Sequence, residues 1–155
     1  MFKKAIATIV LLLFSSLIFA ETVASCQNPK GHVYYPFSGM TLEKDSGWFK
    51  DGISGGITQL EIDADGNYDI QFVDVYKQIV SSKDDGAKII PFAISEDKIG
   101  ITSFYLGSLI ETYAFFKEGN GKLTYTMTQT KINTAIPKAS VMKGTCSFID
   151  FSKVK

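Results

Sequence analysis

The chain has 155 residues, and its sixteen basic residues, all lysines, balance sixteen acids. A neutral chain without arginine lacks the basic excess and the planar fork used on phosphate and guanine, and one histidine with two cysteines excludes most metal sites built from those residues. A composition of 45% hydrophobic and 21% charged residues is that of an ordinary globular chain, long enough for one domain and one modest core.

The first segment reads as a targeting sequence. Lys3 and Lys4 precede an apolar run from Ala5 to Phe19, Ala20 follows, and Glu21 is the first acid. A positive start, an apolar stretch and a small residue before the cut are the pattern of a secretory signal peptide. Cleavage is expected after Ala20, with Ala24 as a second position. The run is short for a membrane span of about twenty residues. Residues 1–20 are therefore assigned as a signal peptide and residues 21–155 as a single β-rich exported domain, periplasmic or secreted. Val23-Ala24-Ser25-Cys26 keeps open a lipoprotein acylated at Cys26. Nothing after residue 20 is long and apolar enough to span a bilayer, so the mature chain is expected to have no membrane span.

Beyond the leader the strand formers Ile, Val, Tyr, Phe and Thr alternate with polar residues. Residues 57–63 place Leu60 and Ile62 on one face. Ala64-Asp65-Gly66-Asn67 carries a hairpin signal, and Tyr68, Ile70 and Phe72 follow on one face. Residues 75–81 read either as a short strand or as one helical turn. Residues 82–86 are a turn. Residues 88–95 are a strand whose Pro91 calls for an edge or a bulge. Residues 98–106 and 109–117 are strands divided at Gly107-Ser108, and 118–121 is a turn. In residues 122–131 Leu123, Tyr125 and Met127 face one way, and Thr124, Thr126 and Thr128 the other. A loop over 133–138 leads to a closing strand over 139–149. Short loops between consecutive strands make antiparallel neighbours. The expected fold is all-β: one antiparallel meander barrel of about eight strands, lipocalin-like in outline, with a two-sheet sandwich as the alternative. The many inward Tyr and Phe residues predict a filled core.

Cys26 and Cys146 stand near the two ends of the mature chain. In an exported protein they read as a disulfide, and a staple is preferred to a catalytic thiol because neither lies in a redox motif.

Few residues suggest chemistry. His32 lies in Gly31-His32-Val33-Tyr34-Tyr35-Pro36-Phe37 and reads as an acid–base group or, preferably, as a surface aromatic on an N-terminal arm. Tyr34, Tyr35, Phe37, Trp48 and Phe49 either line a ligand mouth or partner surface, or plug one end of a barrel. Asp63-Ala64-Asp65-Gly66-Asn67 resembles part of a calcium loop, but no Glu closes it, and a hairpin turn is the better reading. Glu111 shares strand parity with Leu109, Tyr113 and Phe115. If that face is inward, a carboxylate sits in the core or a cavity, where such groups mark functional sites; otherwise the face reverses and Glu111 is outside. No cofactor motif, metal motif or nucleophile–base pair is visible.

The pieces Cys26-Gln27-Asn28-Pro29-Lys30-Gly31, Tyr34-Tyr35, Phe72-Val73-Asp74, Gly86-Ala87 and Ser140-Val141-Met142-Lys143-Gly144-Thr145-Cys146 resemble segments of small exported bacterial proteins of unknown function. The resemblance implies export and a cysteine pair at the two ends of the domain, and no activity. Ser46-Gly47-Trp48 resembles the Gly-x-Trp start of lipocalins, shifted by one residue. The expected function is a non-enzymatic binding protein taking a small apolar ligand or a protein partner, with His32, Tyr34, Tyr35, Trp48 and Glu111 as contacts. The alternative is an inhibitor of an extracellular hydrolase that acts through an exposed loop.

Overall fold

The computed structural model describes residues 20–73 and 76–154. The expected leader up to residue 19, Asp74, Val75 and Lys155 lie outside the described residues. The described residues form ten strands: β1 (Glu21–Tyr35), β2 (Gly47–Gly52), β3 (Ile57–Ile62), β4 (Tyr68–Val73), β5 (Ile79–Ser81), β6 (Lys88–Ile94), β7 (Lys98–Tyr105), β8 (Leu109–Lys117), β9 (Leu123–Lys131) and β10 (Lys138–Ile149). Nine form one continuous antiparallel sheet in the order β5-β4-β3-β1-β10-β9-β8-β7-β6, and β2 adds to β1. The fold is the expected all-β meander, curled into a half-barrel rather than split into two sheets.

The curl follows from connectivity. β5 and β6 are the two edges of the sheet, yet only residues 82–87 join them. Six residues reach at most about 20 Å. The Ala87 amide donates to the Ser82 carbonyl at 2.8 Å, and the Ser82 amide to the Ile70 carbonyl at 2.8 Å, so this connection is folded, not stretched. The edges must therefore lie close together. Among the described residues no ladder joins β6 to β4 or β5, which leaves the barrel partly open. Pro91 sits in the edge strand β6 beside a bulge, where its missing N–H costs no ladder bond.

Two strands lie where the sequence reading expected an arm. β1 runs 15 residues through Asn28-Pro29-Lys30-Gly31, which has the composition of a turn. Asn28 takes φ 53°, and here β1 changes partner on one side: residues up to Gln27 pair with β3, and residues from Lys30 with β2. The crossing is fastened by Asn28, whose amide donates to the Gly56 carbonyl at 2.9 Å and whose Oδ1 accepts from the Gly55 amide at 3.0 Å. On its other side β1 pairs with β10, from Ala24–Ile149 to Tyr34–Ala139.

Cys26 and Cys146 are paired residues of β1 and β10 and form a disulfide, so the bond ties the first strand to the last across 120 residues. The expected staple is present. With the Cys26 sulfur bonded to Cys146, no thiol remains there for an acyl anchor.

One end of the half-barrel is densely filled. Leu60, Ile70, Ile99, Phe115, Tyr125 and Val23 are fully buried, and the Phe115 and Tyr125 rings stack at 6.0 Å. Gly144 lies opposite Tyr125, and a Cβ there would strike the Tyr125 ring and the Gln27 carbonyl. The C-terminal turn Phe151–Lys153 and Val154 pack against this core. The threonine face of β9 is less open than expected: Thr124 is buried, and its hydroxyl donates to Glu118 at 3.0 Å.

Candidate functional site

The residues expected to share a site lie in two places. Glu111 is inside the half-barrel. His32, Tyr34 and Trp48 are outside it.

The inner place is a row of polar residues across the sheet. Ser103 of β7 pairs with Glu111 of β8, Glu111 with Gln129 of β9, and Gln129 with Ser140 of β10. Directly paired residues share a face, so these side chains form one band on the inner surface. Strand alternation puts Glu111 in register with Tyr113 and Phe115, and Gln129 with Met127 and Tyr125; the inward reading of the Glu111 face is the correct one. Ser103, Glu111 and Ser140 are 0%, 7% and 3% exposed.

Glu111 accepts hydrogen bonds from the Tyr113 hydroxyl at 2.8 Å and from Gln129 Nε2 at 2.6 Å. The carboxylate thereby fixes the Gln129 amide with its nitrogen toward Glu111 and its Oε1 away. Gln129 Oε1, Ser103 Oγ and Ser140 Oγ are buried without a partner among the described residues. Buried polar atoms are ordinarily paired, so three orphans in one row mark a place where packing is not the governing demand. Among the described residues no lysine pairs with Glu111. Burial, followed by the Glu111 charge and hydrogen bond, holds the Tyr113 hydroxyl well above its ordinary ionisation range.

Beside this row lies a cavity of about 180 Å³. Glu111, Tyr113, Gln129 and Met127 line one side; Thr58, Phe72 and Val73 from β3 and β4 line the other, with Pro29, Ile53 and Ile57 between them. Phe72, expected in a filled core, is half-buried at the cavity wall instead. The core is filled at one end only.

The outer place is the face of the β1–β2 ribbon. Tyr34 pairs with Trp48, their rings 5.4 Å apart, and His32 pairs with Lys50. Trp48 is 65% exposed and His32 is also exposed. Tyr34, Trp48 and His32 therefore do not plug the barrel; they lie on its outer face, where β1 runs between β2 and β10. Tyr35 points to the opposite face, near Phe49 at 6.1 Å. A shallow groove beside the pair is lined by Lys30, His32, Lys50 and Asp51.

Comparison of the chain with protein-family models, curated proteins and solved structures finds no match. The calcium-like segment is a turn: Asp63 Oδ1 accepts the amides of Asp65 and Asn67 at 3.0 and 2.8 Å, and Asn67 Nδ2 donates to both Asp63 oxygens. These bonds, those from Asn67 first, hold the Asp63 carboxyl below its ordinary value. Ser103, Gln129 and Ser140 were not singled out by sequence reasoning. Their signal was there to read: each is a polar residue at an inward position of a strand whose other inward residues are largely apolar.

Proposed function

We propose that the chain is a non-enzymatic binding protein, exported to an oxidising compartment, whose ligand occupies the Glu111 cavity. The observation that carries this reading is a buried carboxylate at the polar end of a cavity with apolar walls, held by Tyr113 and Gln129 and, among the described residues that line the cavity, facing no cation. A domain selected for stability alone would gain by packing such a space with hydrocarbon, since a buried charge without a counter-charge is costly. The volume equals about six waters at roughly 30 Å³ each, which suits a small ligand and not a drug-sized one. The disulfide supports the oxidising compartment, and among the described residues no helix is long and apolar enough to cross a membrane.

Native mass spectrometry of the protein recovered from an oxidising host compartment tests the reading. The expected result is a bound small mass that is absent from Met127→Trp, whose indole fills the cavity. A wild type that carries no small mass, and is not shifted in melting temperature by any member of a small-molecule library, would refute it.

A second reading is favoured by one feature. The connection 36–46 between β1 and β2 exposes Phe37, Met40 and Leu42, and is pinned by the Met40 amide donating to the Ala135 carbonyl at 2.8 Å. A fixed loop presenting apolar side chains is what an inhibitor of an extracellular hydrolase would need. Protection of a secreted hydrolase by the wild type, lost on Phe37→Asp with Met40→Asp, is the result that would support it.

A further inference from the structure

We infer that the ligand of the Glu111 cavity is a small organic cation, a primary amine on a short apolar body. The inference rests on the reading of that cavity as a ligand site and specifies its chemistry. The charged group of the cavity lining is the Glu111 carboxylate, with the Gln129 amide and the Thr58 and Tyr113 hydroxyls as its neutral polar side chains. The Tyr113 hydroxyl proton is committed to Glu111, and so is a Gln129 Nε2 proton. What remains for a ligand is the Glu111 carboxylate, whose two oxygens accept one side-chain bond each and retain further lone pairs; the buried, unpartnered Gln129 Oε1 is a further acceptor in the same row. An ammonium has three donors and no acceptor, the complement of that set. A carboxylate ligand would meet like charge. An alcohol could supply one donor but would leave the Glu111 charge without a counter-charge.

Among the described residues that line the cavity, Glu111 is the one that carries a charge. Lys131 and Lys138, paired one row further out, are not among its lining residues. The walls away from the carboxylate are hydrocarbon from Ile53, Ile57, Phe72 and Val73, and Met127 adds more beside it, which suits a short alkyl or phenyl body. The volume of about 180 Å³, the share of about six waters at roughly 30 Å³ each, limits that body to a short one.

Isothermal titration of the disulfide-intact protein at neutral pH with hexylamine, hexan-1-ol and hexanoate tests this. Hexylamine should bind at least about tenfold more tightly than hexan-1-ol, hexanoate should not bind, and Glu111→Gln should erase the preference for the amine while hexan-1-ol binding persists. Persistence of hexan-1-ol binding also shows that the variant is folded. If hexan-1-ol binds the wild type as tightly as hexylamine, or hexanoate binds best, the amine assignment is wrong while the cavity remains a ligand site. If none of the three binds, the amine assignment also falls, and the retained mass in native spectrometry then decides separately whether the cavity holds a ligand at all.

Discussion

The two ends of the half-barrel are built from the same strands to opposite specifications. At one end Phe115, Tyr125, Ile99, Leu60 and Ile70 are fully buried hydrocarbon and ring, and the Tyr125 hydroxyl pairs with Thr58 at 3.2 Å where the dense end meets the cavity wall. Four residues along β8 and β9, the same inner face carries Glu111 and Gln129 beside an unfilled space. Stability is concentrated where the packing is dense, and the polar end is tolerated because the dense end and the disulfide hold the strands in register. Well-packed interiors resemble organic crystals, so a defect of this size at one end is a local specification and not slackness throughout.

The contrast is broken most directly by truncation at each end. Phe115→Ala should cost about 3–5 kcal/mol in denaturant melts, as a large-to-small change in a filled core. Phe72→Ala, at a wall that already borders a cavity, should cost less than about 2 kcal/mol. Equal losses would show that the polar end is packed as tightly as the other.

Removing the staple tests whether the polar end depends on it. Cys26→Ser with Cys146→Ser should lower stability by about 2–4 kcal/mol, and the model in which a disulfide restricts the unfolded chain puts that loss on the whole domain. Hydrogen exchange of β1 and β10 amides in the double variant should rise with the rest of the sheet; a rise confined to β1 and β10 would mean that the bond acts locally.

The Tyr113 hydroxyl gives an alkaline signature of the polar end. Its folded value is raised well above 10.0 by burial first and by Glu111 second. The folded chain then holds a proton that the unfolded chain releases, so the stability tied to this group is present below about pH 10 and is lost as pH rises further. Tyr125, raised by burial, adds to the same decline from the filled end. Tyr113→Phe should make the fall in stability above pH 10 shallower. An unchanged slope would show that Tyr113 ionises as freely in the folded state as in the unfolded one.

The smallest effect belongs outside both ends. Thr128→Ala, on the exposed face of β9, should change stability by less than about 0.5 kcal/mol. Thr124→Ala should cost more, near 1 kcal/mol, because it removes a buried hydroxyl bonded to Glu118. Equal effects would mean that the outer face of β9 is uniformly solvated.

Much of this architecture was legible in the residues alone. Alternation marked β3, β4 and β6 to β9 within a residue or two at their ends, Pro91 announced its edge and bulge, and Asp65-Gly66 its hairpin, because period and turn chemistry are local properties. Parity likewise put Glu111 on one face with Leu109, Tyr113 and Phe115, and left open whether that face is inside. What the local pattern could not show was β1 and β2. Asn28-Pro29 reads as a turn, and only the partners on both sides, β10 throughout and β3 then β2 in succession, make an extended strand the lower-energy state there. The row Ser103-Glu111-Gln129-Ser140 was equally hidden, since register between strands is set by pairing across the whole sheet. The separation of Glu111 from His32, Tyr34 and Trp48 was decided at the same level. Which side of a strand is inside is not written in the strand; it is fixed by which way the finished sheet curls.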